Sequence, residues 1–248
     1  KIRVLLSGIG SDEIFGGYYA HQMYYLFSSQ KKKDFRKVYL DWERFIKPQV
    51  RNSGLNDFYH FKKGVKNQEH VFIANDTFPN ELVKNKYISF PKKKYFKDYF
   101  KNQLANDIFI HNVTTQLRDL DQISMYWGIE NRSPFLSKNL FEIAFSLKNS
   151  FLIKDGYGKK ILRDSMKGLV SSKILKSRNK IGFNMNMQSL FDIKSKNFKD
   201  RIFQNEKLHD FINLEEINKI LEKDEINNPE SHFLFSLLNM ETFLEIYG

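Results

Sequence analysis

The fold is decided by one stretch near the start of the chain, Val4-Leu5-Leu6-Ser7-Gly8-Ile9-Gly10-Ser11-Asp12-Glu13-Ile14-Phe15-Gly16-Gly17. Its three leading apolar residues predict a short buried strand, and the small residues that follow predict a loop. Asp12 and Glu13 come next, in what we expect to be the first turn of a helix, where acidic side chains suit the positive end of the helix dipole. The stretch therefore predicts a strand, a glycine-containing loop and a helix in immediate succession.

The loop has the composition of an anion-binding site. Glycines at positions 8 and 10 let the backbone approach a ligand closely, and free amides at a helix start bind anions. A carboxylate beside such a loop, here Asp12, can hold a divalent cation against phosphate oxygens. The sequence thus predicts a nucleotide or pyrophosphate site with Mg²⁺ bound to Asp12. An ordinary capped strand-to-helix turn is the alternative, because glycine-rich turns are common in α/β folds.

Composition and charge narrow the class of partner. The chain has 248 residues, of which 41% are hydrophobic and 28% charged, as in globular proteins. Its 40 lysines and arginines against 29 acidic residues give a net charge of +11, which fits a phosphate-bearing partner. The charge also fits a merely lysine-rich composition, which we favour. The basic runs at 31–33 and 92–94 lack the interleaved arginines and aromatics of a nucleic-acid groove, so we expect no nucleic acid.

Several classes of site are excluded or disfavoured. The chain has no cysteine, which excludes disulfides and a cysteine nucleophile within it and is compatible with the cytoplasmic location that we predict. Its apolar runs fall short of the roughly 18 residues of a membrane helix, so we expect no membrane partner. The six histidines lack ligand spacing, which argues against a transition-metal site.

Later in the chain, two pairs of charged residues are candidates for ligand binding. Glu130 and Arg132 fall on one side of a predicted extended segment, where they could orient a small zwitterion or phosphate, or form a structural salt bridge. Lys159 and Lys160 open a helix predicted over residues 159–168, and a lysine in a first turn usually needs an anion nearby. Further helices are predicted over 18–27, as a continuation of the first helix, and over 34–46, 95–117, 138–147 and 187–248.

The opening stretch resembles the second nucleotide-site motif of the asparagine synthetase family. In the family this motif is Ser-Gly-Glu-Gly-Ser-Asp-Glu followed by Phe-Gly-Gly-Tyr. Residues 7–13 and 15–18 match it, except that Ile9 replaces the first glutamate. Residues 117–137 resemble a second family block that ends in Arg-Val-Pro-Phe-Leu-Asp, with Ser137 in place of the final aspartate. The resemblance runs from about residue 4 to about residue 191.

Two further blocks supply lysines. Residues 155–163 resemble the family's Asp-Gly, two residues, Lys, one residue, Ile-Leu-Arg, which aligns Lys159 with a lysine that faces the nucleotide phosphates. Lys180, Gly182 and Phe183 match the family's Lys-Xaa-Gly-Phe loop. Without the resemblance, Lys159 and Lys160 would both be assigned to the surface.

The resemblance implies an α/β fold of the Rossmann-like adenine nucleotide α-hydrolase (ATP pyrophosphatase) type, here mostly helical with few parallel strands. It implies that residues 1–248 are the C-terminal part of a synthetase domain. Since the chain begins at Lys1 without methionine, directly before a strand, we expect it to be N-terminally truncated. Within it we expect the nucleotide motif in 1–30, a peripheral insertion in 31–95, substrate and phosphate motifs in 96–191, and C-terminal helices in 192–248.

The implied activity is ATP-dependent amide formation. A carboxylate such as the aspartate side chain is adenylated, and ammonia then attacks to give the amide, AMP and pyrophosphate. The implied cofactors are ATP and Mg²⁺, with ammonia supplied by a glutaminase domain on the same or a separate polypeptide; a homodimer is compatible with this reading. The family's first phosphate loop, Ser-Gly-Gly-Xaa-Asp-Ser, is not found in this sequence, so we expect the chain alone to be inactive.

The resemblance also implies a role for each candidate site residue. The catalytic group comprises Asp12, Glu13 and Lys159, with Asp12 also the metal ligand; the ATP and pyrophosphate contacts are Ser7, Gly8, Gly10, Ser11 and Lys180; the substrate contacts are Ile9, Asp121, Glu130 and Arg132.

Ile9 and Ser137 each stand where the family has an acidic residue. The loss of these two carboxylates leaves two alternatives open. One is an amidotransferase relative that acts on a different carboxylate, because isoleucine cannot accept a hydrogen bond. If free aspartate is the substrate after all, another carboxylate has to replace the missing glutamate, and Glu130 is the candidate within this chain. The other is a non-catalytic scaffold that keeps the fold, against which the retention of Asp12 and Lys159 argues.

Overall fold

The computed structural model describes residues 2–50, 53–63, 92–180 and 187–248. The chain forms two compact units, the first from residues 1–63 and 90–180 and the second from residues 64–89 and 181–248. All candidate site residues belong to the first unit. The four functional segments expected from the sequence stay predictions.

A parallel two-stranded sheet lies at the start of the first unit. Strand β1, Val4–Leu6, pairs with β2, Glu130–Arg132, so that Leu5 lies opposite Asn131. The backbone N–H of Ser7 donates to the carbonyl of Arg132 at 2.8 Å, which extends the pairing into the loop. Where it is described, the long crossover between the two strands is mostly helical, and parallel pairing requires such a crossover. A mostly helical chain with few parallel strands is therefore confirmed.

Strand β1 is not buried, contrary to the prediction. Val4, Leu5 and Leu6 are 47%, 50% and 71% exposed. Among the described residues the sheet has two strands, so these apolar side chains meet too few neighbours to be covered. The apolar run correctly predicted a strand, and its burial was predicted wrongly.

Two separate helices follow the loop. Helix α1, Ser11–Phe15, ends at Gly16, whose φ of 72° is left-handed. Helix α2, Tyr19–Ser28, begins only after Gly17. The expectation that residues 18–27 continue the first helix is therefore wrong, because a left-handed residue ends an α-helix.

The rest of the first unit is built from short helices. These are α3 (Phe35–Phe45), α4 (Phe58–Lys63), α5 (Tyr99–Asn106), a π-helical turn (Asp107–His111), α6 (Asn112–Tyr126), α7 (Lys138–Ser146), α8 (Asn149–Leu152), α9 (Lys160–Ser165) and α10 (Ser172–Lys176), with 3₁₀ turns at Lys47–Gln49, Ser53–Leu55 and Pro134–Leu136.

Most predicted helices are found with shifted ends. Those expected over 34–46 and 138–147 correspond to α3 and α7. The helix expected from residue 95 begins at Tyr99, because the side chain of Asp98 caps it by accepting from the Lys101 N–H at 3.0 Å. It then continues through the π-helical turn to Tyr126.

Aromatic side chains pack α2 against α5. The ring of Tyr25 meets that of Phe100 at a centroid distance of 5.7 Å, and Tyr24 and Phe27 meet Tyr99 at 5.9 and 4.8 Å. Such pairs contribute about 0.5–1.5 kcal/mol each beyond the burial of their area. These contacts hold the second half of α2 against α5.

The second unit is helical where it is described. Its elements are α11 (Met187–Leu190), α12 (Lys196–Phe203), α13 (Glu206–His209), α14 (Leu214–Leu221) and α15 (Asn228–Tyr247). Ile202, Leu208, Ile217 and Leu234 form the centre of its core. Helices are found within 187–248 as predicted, and those at Lys196–Phe203 and Leu214–Leu221 are amphipathic. In the described part of both units, no helix is both long enough and apolar enough to span a membrane.

Candidate functional site

The loop from Ser7 to Gly10 connects β1 to α1. Gly10 has a φ of 87°, and a β-carbon on it would overlap the side chain of Leu136, so that only glycine fits there. The hydroxyls of Ser7 and Ser133 are hydrogen-bonded at 2.9 Å, which ties the loop to the residue after β2. Ile9 is half-buried in this loop. The loop is thus held at both ends.

Asp12 is the centre of a charge cluster. The Nζ atoms of Lys159 and Lys180 lie 3.0 and 3.4 Å from the same oxygen, Oδ1. Burial raises the pKa of Asp12, but the attraction of the two lysines outweighs it, so the pKa lies below the ordinary value. The carboxyl is therefore ionised at neutral pH.

Lys159 reaches Asp12 from an unusual backbone position. It is the residue before α9 and has a φ of 55°, in the left-handed region that costs a non-glycine residue about 1 kcal/mol or more. Its backbone N–H donates to the carbonyl of Phe15 at 3.0 Å, and its Nζ donates to the Ser11 hydroxyl at 3.3 Å. The expectation that Lys159 lies inside the first turn is wrong, because the helix begins at the next residue.

Lys160 is directed elsewhere. Its Nζ forms an ion pair with Asp164 on the same helix, and Lys167 lies 3.0 Å from that carboxylate. Of the two adjacent lysines, Lys159 contacts Asp12 and Lys160 does not.

Gly17 makes room for the Asp12–Lys159 pair. A β-carbon at this position would overlap both the Asp12 carboxylate and the Lys159 side chain. Its backbone N–H donates to the carbonyl of Asp12 at 2.8 Å. The close packing of Asp12 and Lys159 thus requires glycine at the second glycine position of the Phe-Gly-Gly-Tyr motif.

Lys180 completes the cluster with a buried ammonium. Its Nζ lies 3.5 Å from the centroid of the Tyr18 ring, a cation–π contact. Among the described residues it has no hydrogen-bond acceptor, so its contact with Asp12 is an ion pair without good hydrogen-bond alignment. Burial lowers the pKa of Lys180, and the nearby Asp12 charge partly opposes this effect. An anionic ligand oxygen could supply the missing acceptor.

Glu13 supports the cluster through Tyr18. Glu13 is 1% exposed, and its Oε1 accepts from the Tyr18 hydroxyl at 2.7 Å. Burial, together with this carboxylate, holds the pKa of Tyr18 well above its ordinary value, so the hydroxyl stays protonated. Glu13 therefore fixes the ring that lies beneath Lys180.

A buried polar network next to Tyr18 was missed by the sequence reasoning. His21 is fully buried, its Nδ1 accepts from the Tyr18 N–H at 3.3 Å, and its Nε2 lies 3.0 Å from Asp107 Oδ2. Because Nδ1 accepts, Nε2 is the ring nitrogen that donates to Asp107. His111 approaches the other Asp107 oxygen at 3.4 Å. The four-residue spacing of Asp107 and His111 is the one sequence signal for this network.

Three of the candidate substrate residues, Asp121, Glu130 and Arg132, form no hydrogen bond or ion pair with the Asp12 cluster in the described part of the chain. Glu130 and Arg132 pair with each other at 2.8 Å and are more than half exposed, as in an ordinary surface salt bridge. Asp121 is exposed on α6, and its side chain has no ion pair or hydrogen bond to the described residues. The salt-bridge alternative for Glu130 and Arg132 is thus the arrangement observed. Gly182 and Phe183, which complete the Lys180 motif, lie outside the described residues.

Among the described residues, Asp12 has one carboxylate oxygen that is free to bind a magnesium ion. Its Oδ1 is shared by two lysines, and its Oδ2 has no hydrogen bond or ion pair within the described part of the chain. In that same part, no group of three or more histidines and carboxylates converges as a metal site. Mg²⁺ is often held by one or two carboxylates together with phosphate oxygens and water. A single free oxygen therefore suits Mg²⁺ that arrives with a phosphate ligand.

Comparison with known proteins identifies the class. The family model described as asparagine synthase matches residues 1–245, and the chain belongs to this family. One relative is asparagine synthetase (glutamine-hydrolyzing) 1 of Bacillus subtilis (strain 168), which is 26% identical over 198 residues. That match covers 73% of this chain and 30% of the relative, so the chain corresponds to less than a third of the relative's length. The family resemblance carried by the motifs is confirmed.

Proposed function

We propose that the chain forms the pyrophosphate-binding part of a ligase that makes an amide at the expense of ATP. The observation that carries the proposal is the convergence of Lys159 and Lys180 on one oxygen of Asp12 beside the glycine loop. Two ammonium groups held by a single carboxylate are suited to a polyanionic ligand, since that ligand can replace the carboxylate as their counter-ion.

The first step of the proposed reaction is adenylation. A carboxylate oxygen of the acceptor attacks the α-phosphorus of ATP, the bond to the bridging oxygen breaks, and pyrophosphate leaves with the developing negative charge. Lys159 and Lys180 would neutralise that charge, while Asp12 would bind Mg²⁺ through Oδ2. The metal would add further positive charge at the phosphate oxygens.

Ser7, Gly8, Gly10 and Ser11 would contact the nucleotide from the loop. Glu13 would act on the ligand only indirectly, because its observed partner is the Tyr18 hydroxyl. In this proposal Glu13 is a positioning residue for Tyr18 and Lys180 and does not itself transfer a proton.

The second step would be attack of ammonia on the acyl carbon, with loss of AMP and a proton to give the amide. The Bacillus relative is named as a glutamine-hydrolysing enzyme. We propose on that basis that the ammonia comes from a glutaminase domain. No group among the residues described here is assigned to this step.

The acceptor is proposed to differ from free aspartate. Ile9 lies where the family resemblance expects a glutamate near the acceptor, and it cannot bind an ammonium group. The candidate replacement, Glu130, is already paired with Arg132. A carboxylate with a larger or less charged neighbouring group would avoid leaving a buried ammonium without a partner.

The test is ATP–pyrophosphate exchange by the full-length protein that contains this chain, over a panel of carboxylates. Exchange that depends on one carboxylate, and is lost in Asp12→Asn with the fold retained, would support the proposal. No exchange with any member of the panel would favour the non-catalytic scaffold.

A further inference from the structure

A second cationic site lies in a cleft of about 390 Å³ on the first unit. It is lined by the end of α3, the following 3₁₀ turn and residues 176–179. Three of the lining side chains are cationic, Arg44, Lys176 and Arg178, and none of the described residues that line the cleft is acidic.

Arg178 is held rigidly at the cleft. Its guanidinium carbon lies 4.0 Å from the ring centroid of Phe45 and 3.9 Å from that of Tyr157. Its Nε donates to the backbone carbonyl of Asp155 at 3.2 Å. The two terminal nitrogens have no hydrogen-bond or ion-pair partner in the described part of the chain. The guanidinium is therefore oriented in advance, with donors left over for a ligand.

Two neighbouring carboxylates are already engaged by lysines. Glu43 lies 4.0 Å from Lys47, and the Asp155 carboxylate lies 3.2 Å from Lys37. Neither Arg44 nor Lys176 forms an ion pair with a described residue; Arg44 instead lies over the Phe45 ring at 5.0 Å. The cleft thus contains positive charge that no side chain described here neutralises.

A short chain of hydrogen bonds connects the cleft with the Asp12 cluster. Gln49 lines the cleft, and its Oε1 accepts from the Tyr19 hydroxyl at 3.0 Å. The same hydroxyl accepts from the backbone N–H of Lys180 at 3.3 Å. Lys180 also follows Arg178 by two residues, so a ligand in the cleft would touch the segment that carries it.

We propose that this cleft binds a phosphate group, inorganic or esterified, as a second anion site that is separate from the Asp12 cluster. The guanidinium of Arg178 presents parallel donors that match phosphate oxygens, and Arg44 and Lys176 supply the charge to balance a dianion. Phe45 and Pro48 offer apolar surface to the organic part of an ester. The cleft volume lies within the range of small-molecule sites. This inference does not depend on the proposed amide-forming activity.

The test measures binding of inorganic phosphate and of phenyl phosphate by calorimetry at constant ionic strength. The double variant Arg44→Gln/Lys176→Gln is compared with Arg36→Gln/Lys173→Gln. The control residues lie on the same two helices, are exposed and do not line the cleft, and both double variants lower the net charge equally. We expect phosphate affinity to fall about tenfold or more in the first variant and less than about twofold in the control.

Arg178→Lys gives a second measurement, because it keeps the charge and removes the planar fork. It should weaken phosphate binding several-fold with an unchanged far-UV circular dichroism spectrum. Tighter binding of phenyl phosphate than of inorganic phosphate would assign an esterified ligand, and equal binding would assign the free ion.

Three results would overturn the proposal. The first is equal weakening in both double variants, which would show only general electrostatic attraction. The second is binding that is lost in Lys159→Ala but kept in Arg44→Gln/Lys176→Gln, which would place the phosphate at the Asp12 cluster. The third is no saturable binding by the parent protein up to about 10 mM, a range that would detect even weak sites.

Discussion

The carboxylate of Asp12 and the ammonium of Lys159 lie 3.0 Å apart, and the backbone of Gly17 passes so close to both that no side chain fits there. The three residues come from the beginning and the middle of the chain. Their contact is made possible by the left-handed backbone of Lys159 and its hydrogen bond to Phe15. The positions of the Asp12 and Lys159 charges therefore depend on the backbone conformation at Gly17 and Lys159.

In the full-length protein, Asp12→Asn should abolish ATP–pyrophosphate exchange and leave the fold intact. The change removes the free carboxylate oxygen proposed to bind Mg²⁺ while keeping the shape of the side chain. Exchange is measured with the preferred carboxylate, and folding by thermal denaturation. Asp164→Asn is the matched control, since Asp164 pairs with Lys160 outside the cluster and its loss should leave exchange unchanged. Parental exchange in Asp12→Asn would remove Asp12 from the metal site.

Lys159→Ala should lower the exchange rate by about 100-fold or more, the scale of losing one preorganised electrostatic group. Lys160→Ala should have a much smaller effect, because Lys160 faces Asp164. Both rates are measured at saturating ATP, so that weaker nucleotide binding is not mistaken for slower chemistry. Greater sensitivity at Lys160 would contradict the assignment.

Gly17→Ala should destabilise the protein by about 1–3 kcal/mol and reduce exchange, because the new methyl group displaces Asp12 and Lys159. Gly8→Ala serves as the folding control, since a β-carbon at Gly8 meets no atom within 4 Å. The free energy of unfolding is measured in urea for both. If Gly17→Ala were as stable as the parent and fully active, the close packing at Gly17 would be refuted.

Acid should destabilise the first unit through its carboxylates. The pKa values of Asp12 and Asp107 lie below the ordinary value of 3.8 in the folded protein. Their stabilising contribution is therefore fully present above that value and is lost as the pH falls through the lower folded-state pKa. Urea unfolding at pH 7, 4 and 3 should show the free energy of unfolding falling at the acid end. The fall should be smaller in Asp12→Asn, which lacks one titrating carboxyl; an identical pH dependence in that variant would contradict this account.

Ile9→Glu should increase exchange with free aspartate relative to the parent's preferred carboxylate. The new carboxylate would give the ammonium of aspartate a partner in the loop. The ratio of kcat/KM for the two acceptors, measured in parent and variant, is the readout. Efficient use of aspartate by the parent, unaffected by the substitution, would show that position 9 does not set specificity.

The sequence predicted the succession of strand, loop and helix and, through the family motif, selected Lys159 over Lys160 for the phosphate-facing role. These features are local or belong to contiguous motifs. It could not predict that Lys159 precedes its helix in a left-handed conformation, since that depends on a hydrogen bond to Phe15. It also missed His21 and Asp107, because their contact joins distant residues and neither lies in a recognised motif.

The burial of β1 was predicted wrongly for a different reason. An apolar run indicates which residues favour burial, but burial also depends on what packs against the strand. Among the described residues β1 has one neighbouring strand, and its side chains stay exposed. Glu130 and Arg132 show the converse case, since their alternation along β2 correctly indicated a shared side but could not tell a pair satisfied by itself from a pair that awaits a ligand.

For the activity proposed here, the sharing of a single Asp12 oxygen by two ammonium groups sets an order of arrival. A bare Mg²⁺ ion that approached Asp12 first would meet both lysines beside the carboxylate and be repelled. A nucleotide without metal would meet the carboxylate's own negative charge. The pre-formed complex of the two avoids both conflicts, so metal and nucleotide should enter this site as one unit, and saturation with either alone should remain incomplete.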